Sequence, residues 1–85
     1  MPTLSMFYGI KVTMNYSDHP PPHFHAEYQD FEVTVEIESG MVTGKMPRRA
    51  LNMIWVWLDE HRDELNENWE RAKARRALTQ IDPLP

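Results

Sequence analysis

Three of the four histidines and three of the seven prolines fall in one short stretch, Asp18-His19-Pro20-Pro21-Pro22-His23-Phe24-His25. Consecutive prolines fix φ and remove N–H donors, so a stiff segment delivers His23 and His25 in a defined direction. Residues i and i+2 of a strand share a face, so His23 and His25 can present two imidazoles to one divalent ion such as Zn, Mn or Ni. Glu36 or His19 would supply a third ligand and leave a position open for water. The alternative is structural: a turn whose histidines bond the backbone or acidic neighbours. Histidines near Glu36 and Lys45 also suit general acid–base cleavage of RNA, but no Gly-rich phosphate cradle accompanies them.

The elements that position these residues follow from periodicity. Phe7–Tyr16 alternates as a strand, with Tyr8, Ile10, Val12 and Met14 on one face. His23–Tyr28 alternates next, and Phe31–Glu38 most cleanly, with Phe31, Val33, Val35 and Ile37 apolar. Two-residue turns at Gln29-Asp30 and Ser39-Gly40 would join antiparallel neighbours. With Tyr28 opposite Phe31, the pairs are Phe24 with Val35, Ala26 with Val33, His25 with Thr34 and His23 with Glu36. With Glu38 opposite Met41, Ile37 meets Val42, Val33 meets Met46 and Thr34 meets Lys45. Apolar faces apolar throughout, as a correct register requires. The polar face then carries Lys11, Thr13, His23, His25, Glu27, Glu32, Thr34, Glu36 and Lys45.

Beyond Met46 the period changes. Pro47 suits a first helical position, and Leu51, Ile54, Leu58, His61, Leu65, Trp69 and Ala72 form a helical stripe. One long helix is expected, with a break at Arg62-Asp63 as the alternative, because Asp63 suits a cap. Leu78–Ile81 reads as a short final strand. The expected fold is α+β: a four-stranded antiparallel meander with the helix on its apolar face, in a single domain over residues 1–85.

Composition narrows the function. The chain has 85 residues, no cysteine and a net charge of −4. Disulfides and thiolate metal sites are excluded, and the lack of cysteine fits a cytoplasmic setting. No signal peptide or membrane-spanning run is read from the sequence. Arg71, Lys73, Arg75 and Arg76 make a basic helix end that a DNA-binding regulator would use. The acidic remainder of the helix surface, Asp59, Glu60, Asp63, Glu64, Glu67 and Glu70, would repel a duplex. Trp55, Trp57 and Trp69 are candidates for an interface or for the core, and six Met with three Trp leave a homo-oligomer open.

The runs Pro-Thr-Leu-Ser-Met-Phe-Tyr-Gly-Ile, Asp-His-Pro-Pro-Pro-His-Phe-His-Ala and Glu-His-Arg-Asp-Glu-Leu-Asn-Glu-Asn-Trp resemble domain-of-unknown-function family 4160, a group of small bacterial and archaeal proteins. Pro20 departs from the pattern, where a polar residue such as Asn is expected. The resemblance implies a stand-alone domain, often encoded beside another small protein in an arrangement suggestive of a toxin–antitoxin pair. It carries over no catalytic residues. The sequence therefore favours a non-enzymatic interaction module with a small protein encoded nearby as partner. A metal-dependent hydrolase or nuclease using the histidine face comes second, and a DNA-binding transcriptional regulator third.

Overall fold

The computed structural model describes residues 1–85. Five strands, β1 (Thr3–Phe7), β2 (Ile10–Thr13), β3 (His23–Tyr28), β4 (Phe31–Glu36) and β5 (Val42–Lys45), precede one long helix, α1 (Arg48–Lys73). The strands pair in chain order as an antiparallel sheet. The architecture is α+β, with five strands where four were expected. The stretch expected as one strand, Phe7–Tyr16, is cut by a tight turn at Tyr8-Gly9, where φ is 50° and 81°. Positive φ at both central residues suits a two-residue hairpin whose twist matches its strands. That turn lets Thr3–Phe7 fold back on β2 and form the first strand.

The β3–β4 register is the expected one, from His23 opposite Glu36 to Tyr28 opposite Phe31. The β4–β5 register differs by two residues. Val35 faces Val42, Thr34 faces Thr43 and Glu32 faces Lys45, in place of the expected Ile37–Val42 and Thr34–Lys45 pairs. Ile37 is the reason. Its N–H bonds the Pro22 carbonyl at 3.0 Å, its own carbonyl accepts Arg62 Nε at 2.9 Å, and its side chain is buried. Ile37 is thereby committed to the loop and the helix, so β4 ends at Glu36 rather than Glu38 and a longer loop replaces the Ser39-Gly40 turn. Because the slip is even, every side chain keeps its face. It also sets Lys45 opposite Glu32, while the β2–β3 register sets Lys11 opposite Glu27, and the two lysines offset the like-charge Glu27–Glu32 pair.

The core lies between the sheet and α1. Ile10, Val12, Phe24, Ala26, Val33 and Val35 meet Ala50, Ile54, Trp57, Leu58, Leu65 and Trp69. Pro47 stands just before the helix as its N-cap, not at the first helical position. The helix is kinked at His61 (φ −125°, ψ 22°), one residue before the expected break. The kink coincides with the Arg62 bond to Ile37, and His61 Nδ1 contacts Glu64 Oε1 at 2.5 Å across it. The expected final strand at Leu78–Ile81 is absent: residues after α1 are irregular. Of the backbone N–H groups there, only that of Ile81 bonds a strand, at the Leu4 carbonyl (2.9 Å), and Pro83 and Pro85 have no N–H with which to extend a ladder. No helix is long and apolar enough to cross a membrane.

Candidate metal centre

The loop from Met14 to Pro22 leaves β2, passes the C-terminal end of α1 and returns into β3. Ser17 N–H bonds the Ala72 carbonyl at 3.2 Å, fastening the loop to the helix. The Ile37 N–H bond to Pro22 fastens its other end. Between these anchors, Asp18 is turned back over the start of β3. Its Oδ2 lies 3.0 Å from His23 Nε2, 3.9 Å from His25 Nε2 and 3.4 Å from Asn15 Nδ2. The side chains of Asp18, His23 and His25 are only 16%, 11% and 18% exposed.

The tautomers follow from the partners. His23 Nδ1 lies 2.7 Å from the Pro21 carbonyl, which can only accept, so Nδ1 carries a proton. Asn15 Nδ2 lies 3.4 Å from His25 Nε2, and an amide N–H can only donate, so that ring nitrogen offers its lone pair. Asp18 Oδ2 and His25 Nε2 thus converge as acceptors beside His23 Nε2. If His23 carried its single proton on Nδ1, three electron-rich atoms would face one another. A proton on His23 Nε2 or a cation between them would each satisfy these acceptors.

Their spacing suits a cation. One ligand atom from each of Asp18, His23 and His25 lies within 4.8 Å of the other two. Metal–ligand bonds of ~2.0–2.1 Å in tetrahedral geometry put neighbouring ligands about 3.3 Å apart, between the 3.0 Å and 3.9 Å separations seen here. The Pro21 carbonyl bond to His23 Nδ1–H is the kind of outer contact that orients a metal-binding imidazole. The Asp18 carboxyl is held below its ordinary range. Burial opposes this, but hydrogen bonds from the His19 backbone N–H, His23 and Asn15, with the charge of His23, outweigh it. A cation here would have to displace the His23 Nε2 proton and take over its charge beside Asp18.

The site opens into a groove of about 350 Å³ walled by Thr34, Glu36, Met41 and Thr43 from β4, β5 and the loop between them. Of the residues singled out from the sequence, His23 and His25 meet here. Glu36 lines the groove opposite His23, but its Oε1 accepts from Ser39 Oγ at 2.9 Å. His19 stands at the mouth with its side chain 89% exposed, 3.1 Å from the other Asp18 oxygen. Asp18 and Asn15 escaped the strand-based reading because they reach the site across the loop. The signal for Asp18 was its place at the head of the proline-stiffened stretch.

The remaining candidates lie elsewhere. Trp57 and Trp69 are buried, Trp57 donating to the Asp82 carbonyl (2.8 Å) and Trp69 packing on His23 with ring centres 5.2 Å apart. Trp55 is half-buried and donates to the Gly40 carbonyl at 2.9 Å. Arg71 and Lys73 pair with Glu67 and Glu70, each at 3.4 Å, whereas Arg75 and Arg76 are exposed beyond the helix end.

No curated protein and no solved structure matches the chain. A family model described as a domain of unknown function (DUF4160) matches residues 9–70, a span that holds Asp18, His23 and His25, four of the five strands and most of α1. The chain belongs to the DUF4160 family.

Proposed function

We propose that Asp18, His23 and His25 hold one divalent transition ion, zinc being one that two imidazoles and a carboxylate suit, and that the protein acts through it as a small metal-dependent hydrolase. The observation that carries this reading is the converging set of Asp18 Oδ2, His23 Nε2 and His25 Nε2, with His23 oriented from behind by Pro21. Such an ion would supply Lewis-acid activation of water at the groove. The chain's part is to hold three ligands and leave the groove side open. Thr34 and Thr43 would offer hydroxyls to a bound substrate and Met41 an apolar wall. The groove has two carboxylates, Asp18 and Glu36, and no Lys or Arg. With the ion's two positive charges the site would be near neutral, and no Lys or Arg is there to grip a phosphate, so the nuclease variant is the weaker form. The test is hydrolysis of a panel of small esters, amides and a phosphodiester by zinc-loaded protein. Turnover of an ester or amide that is lost in His25→Ala supports the reading, and an inert panel counts against it.

A second reading is an interaction module in a toxin–antitoxin-like pair. Its support is apolar surface at the hairpin end of the sheet, where Met6 and Tyr8 are well exposed and Phe31 is partly so. Co-expression with the neighbouring small protein tests it: a complex that survives purification and is lost in Tyr8→Asp would favour this reading. A DNA-binding role has less support, since the helix's own glutamates pair two of its four terminal cations.

A further inference from the structure

After α1 the chain runs back across the molecule as an extended segment, and it is bound there much as a peptide ligand would be. Asn68, buried in α1, reads the backbone of Thr79 in both directions: its Nδ2 donates to the Thr79 carbonyl and its Oδ1 accepts the Thr79 N–H, each at 2.8 Å. Trp57 Nε1 donates to the Asp82 carbonyl at 2.8 Å, and the Ile81 N–H bonds the Leu4 carbonyl at 2.9 Å on the free edge of β1. Leu78, Ile81 and Leu84 pack on the core. Their spacing of three, with Pro83 and Pro85 among them, matches the period of a polyproline II peptide. Recognition therefore falls on backbone groups and apolar anchors, and an identical segment of another chain could satisfy all of it.

The connection into this segment is at odds with its own sequence. Arg76 N–H bonds the Arg71 carbonyl at 2.8 Å and Arg75 N–H the Ala72 carbonyl at 3.2 Å, a Schellman ending. The left-handed position of that motif is normally glycine, but here it is Arg75 with φ 57°. The residues around it, Ala74-Arg75-Arg76-Ala77-Leu78, are strong helix formers. Local preference would continue α1 through the turn, and a longer helix would carry Thr79–Pro85 away from the chain's own groove. A good helix former held in a left-handed turn before a separately docked segment is the setting in which identical elements are exchanged between copies.

We propose that the groove formed by Asn68, Trp57 and the β1 edge binds the C-terminal segment of a second copy, giving a two-fold exchanged dimer in equilibrium with the closed monomer. This surface is independent of the metal centre. Wild-type protein refolded at high concentration should yield a dimer by size-exclusion chromatography with light scattering. Arg75→Gly, which accepts the turn freely, should lower the dimer fraction several-fold. Mixing Asn68→Ala, with an intact tail and a broken clamp, with Ile81→Asp, with an intact clamp and a broken tail, should give heterodimers in excess of either homodimer. Wild-type protein that stays monomeric at every refolding concentration, or a dimer that is undiminished by Arg75→Gly, overturns the proposal. If the two tail-and-clamp variants fail to fold, the comparison of wild type with Arg75→Gly still decides it.

Discussion

His23 donates from Nδ1 to the carbonyl of Pro21 at 2.7 Å, two residues earlier in the chain, and this bond aims its other nitrogen at Asp18. The contact gives the proline stretch a definite task, because the carbonyl that orients the imidazole belongs to the segment that delivers it. Removing Asp18 strands a nearly buried ring with one partner missing. Asp18→Ala should destabilise the fold by about 1–3 kcal/mol in urea melts. His19→Ala, on an exposed side chain, should change stability by less than about 0.5 kcal/mol.

Asp18 also sets an acid limit. Its folded-state carboxyl lies below the ordinary value of 3.8, because the hydrogen bonds from His19, His23 and Asn15 and the charge of His23 outweigh burial. A lowered folded value contributes stability that is fully present above the unfolded value and is lost as pH falls through the folded one. Melting temperature should therefore drop as pH is taken below about 4, and Asp18→Asn should flatten that part of the profile. A variant whose acid limb overlays the wild type would show that other carboxylates set it.

Arg62 acts on the site from a distance. Its Nε holds the Ile37 carbonyl, and the Ile37 N–H holds Pro22 beside His23. Arg62→Ala should cost about 1 kcal/mol in stability. It should also weaken metal binding by about 10-fold, the range seen when groups supporting a ligand are removed. Arg62→Lys keeps the charge but not the planar donor, and should recover only part of the affinity. A stability loss with unchanged metal affinity would separate the loop from the site.

The β4–β5 pairing makes its own demand. At Gly44, with φ 112°, an added Cβ would lie 2.6 Å from the Glu32 carbonyl oxygen. Both backbone conformation and space exclude a side chain there. Gly44→Ala should destabilise by more than about 1 kcal/mol in urea melts and loosen β5 first in hydrogen exchange.

Elements whose patterns are local could be read from the sequence. The β3–β4 register followed from alternation, since any odd slip would have turned Phe24 and Val35 outward. The helix followed from its stripe as one long element, and the kink at His61 lies beside Arg62-Asp63, where a break was the alternative. Errors arose where one distant bond decided. Ile37 is claimed by Pro22 and Arg62, which moved the β5 register, and Asn68 with the prolines replaced a final strand by a docked segment. Tyr8-Gly9 was read through as strand because Tyr, unlike Asn or Asp, gives little turn signal ahead of a glycine. Within the site, His23 and His25 were visible as an i, i+2 pair. Asp18 was not, because only the folded loop brings it over the strand.

The most direct measurement is a zinc titration by calorimetry, with metal analysis, on protein purified without a histidine tag. The expected result is a single ion per chain for the wild type. Asp18→Ala, His23→Ala and His25→Ala should each weaken binding by about 100-fold or more, while His19→Ala stays close to wild type. Less than about a tenth of an equivalent bound by folded wild-type protein after metal repletion, or undiminished binding by His23→Ala, would contradict the assignment.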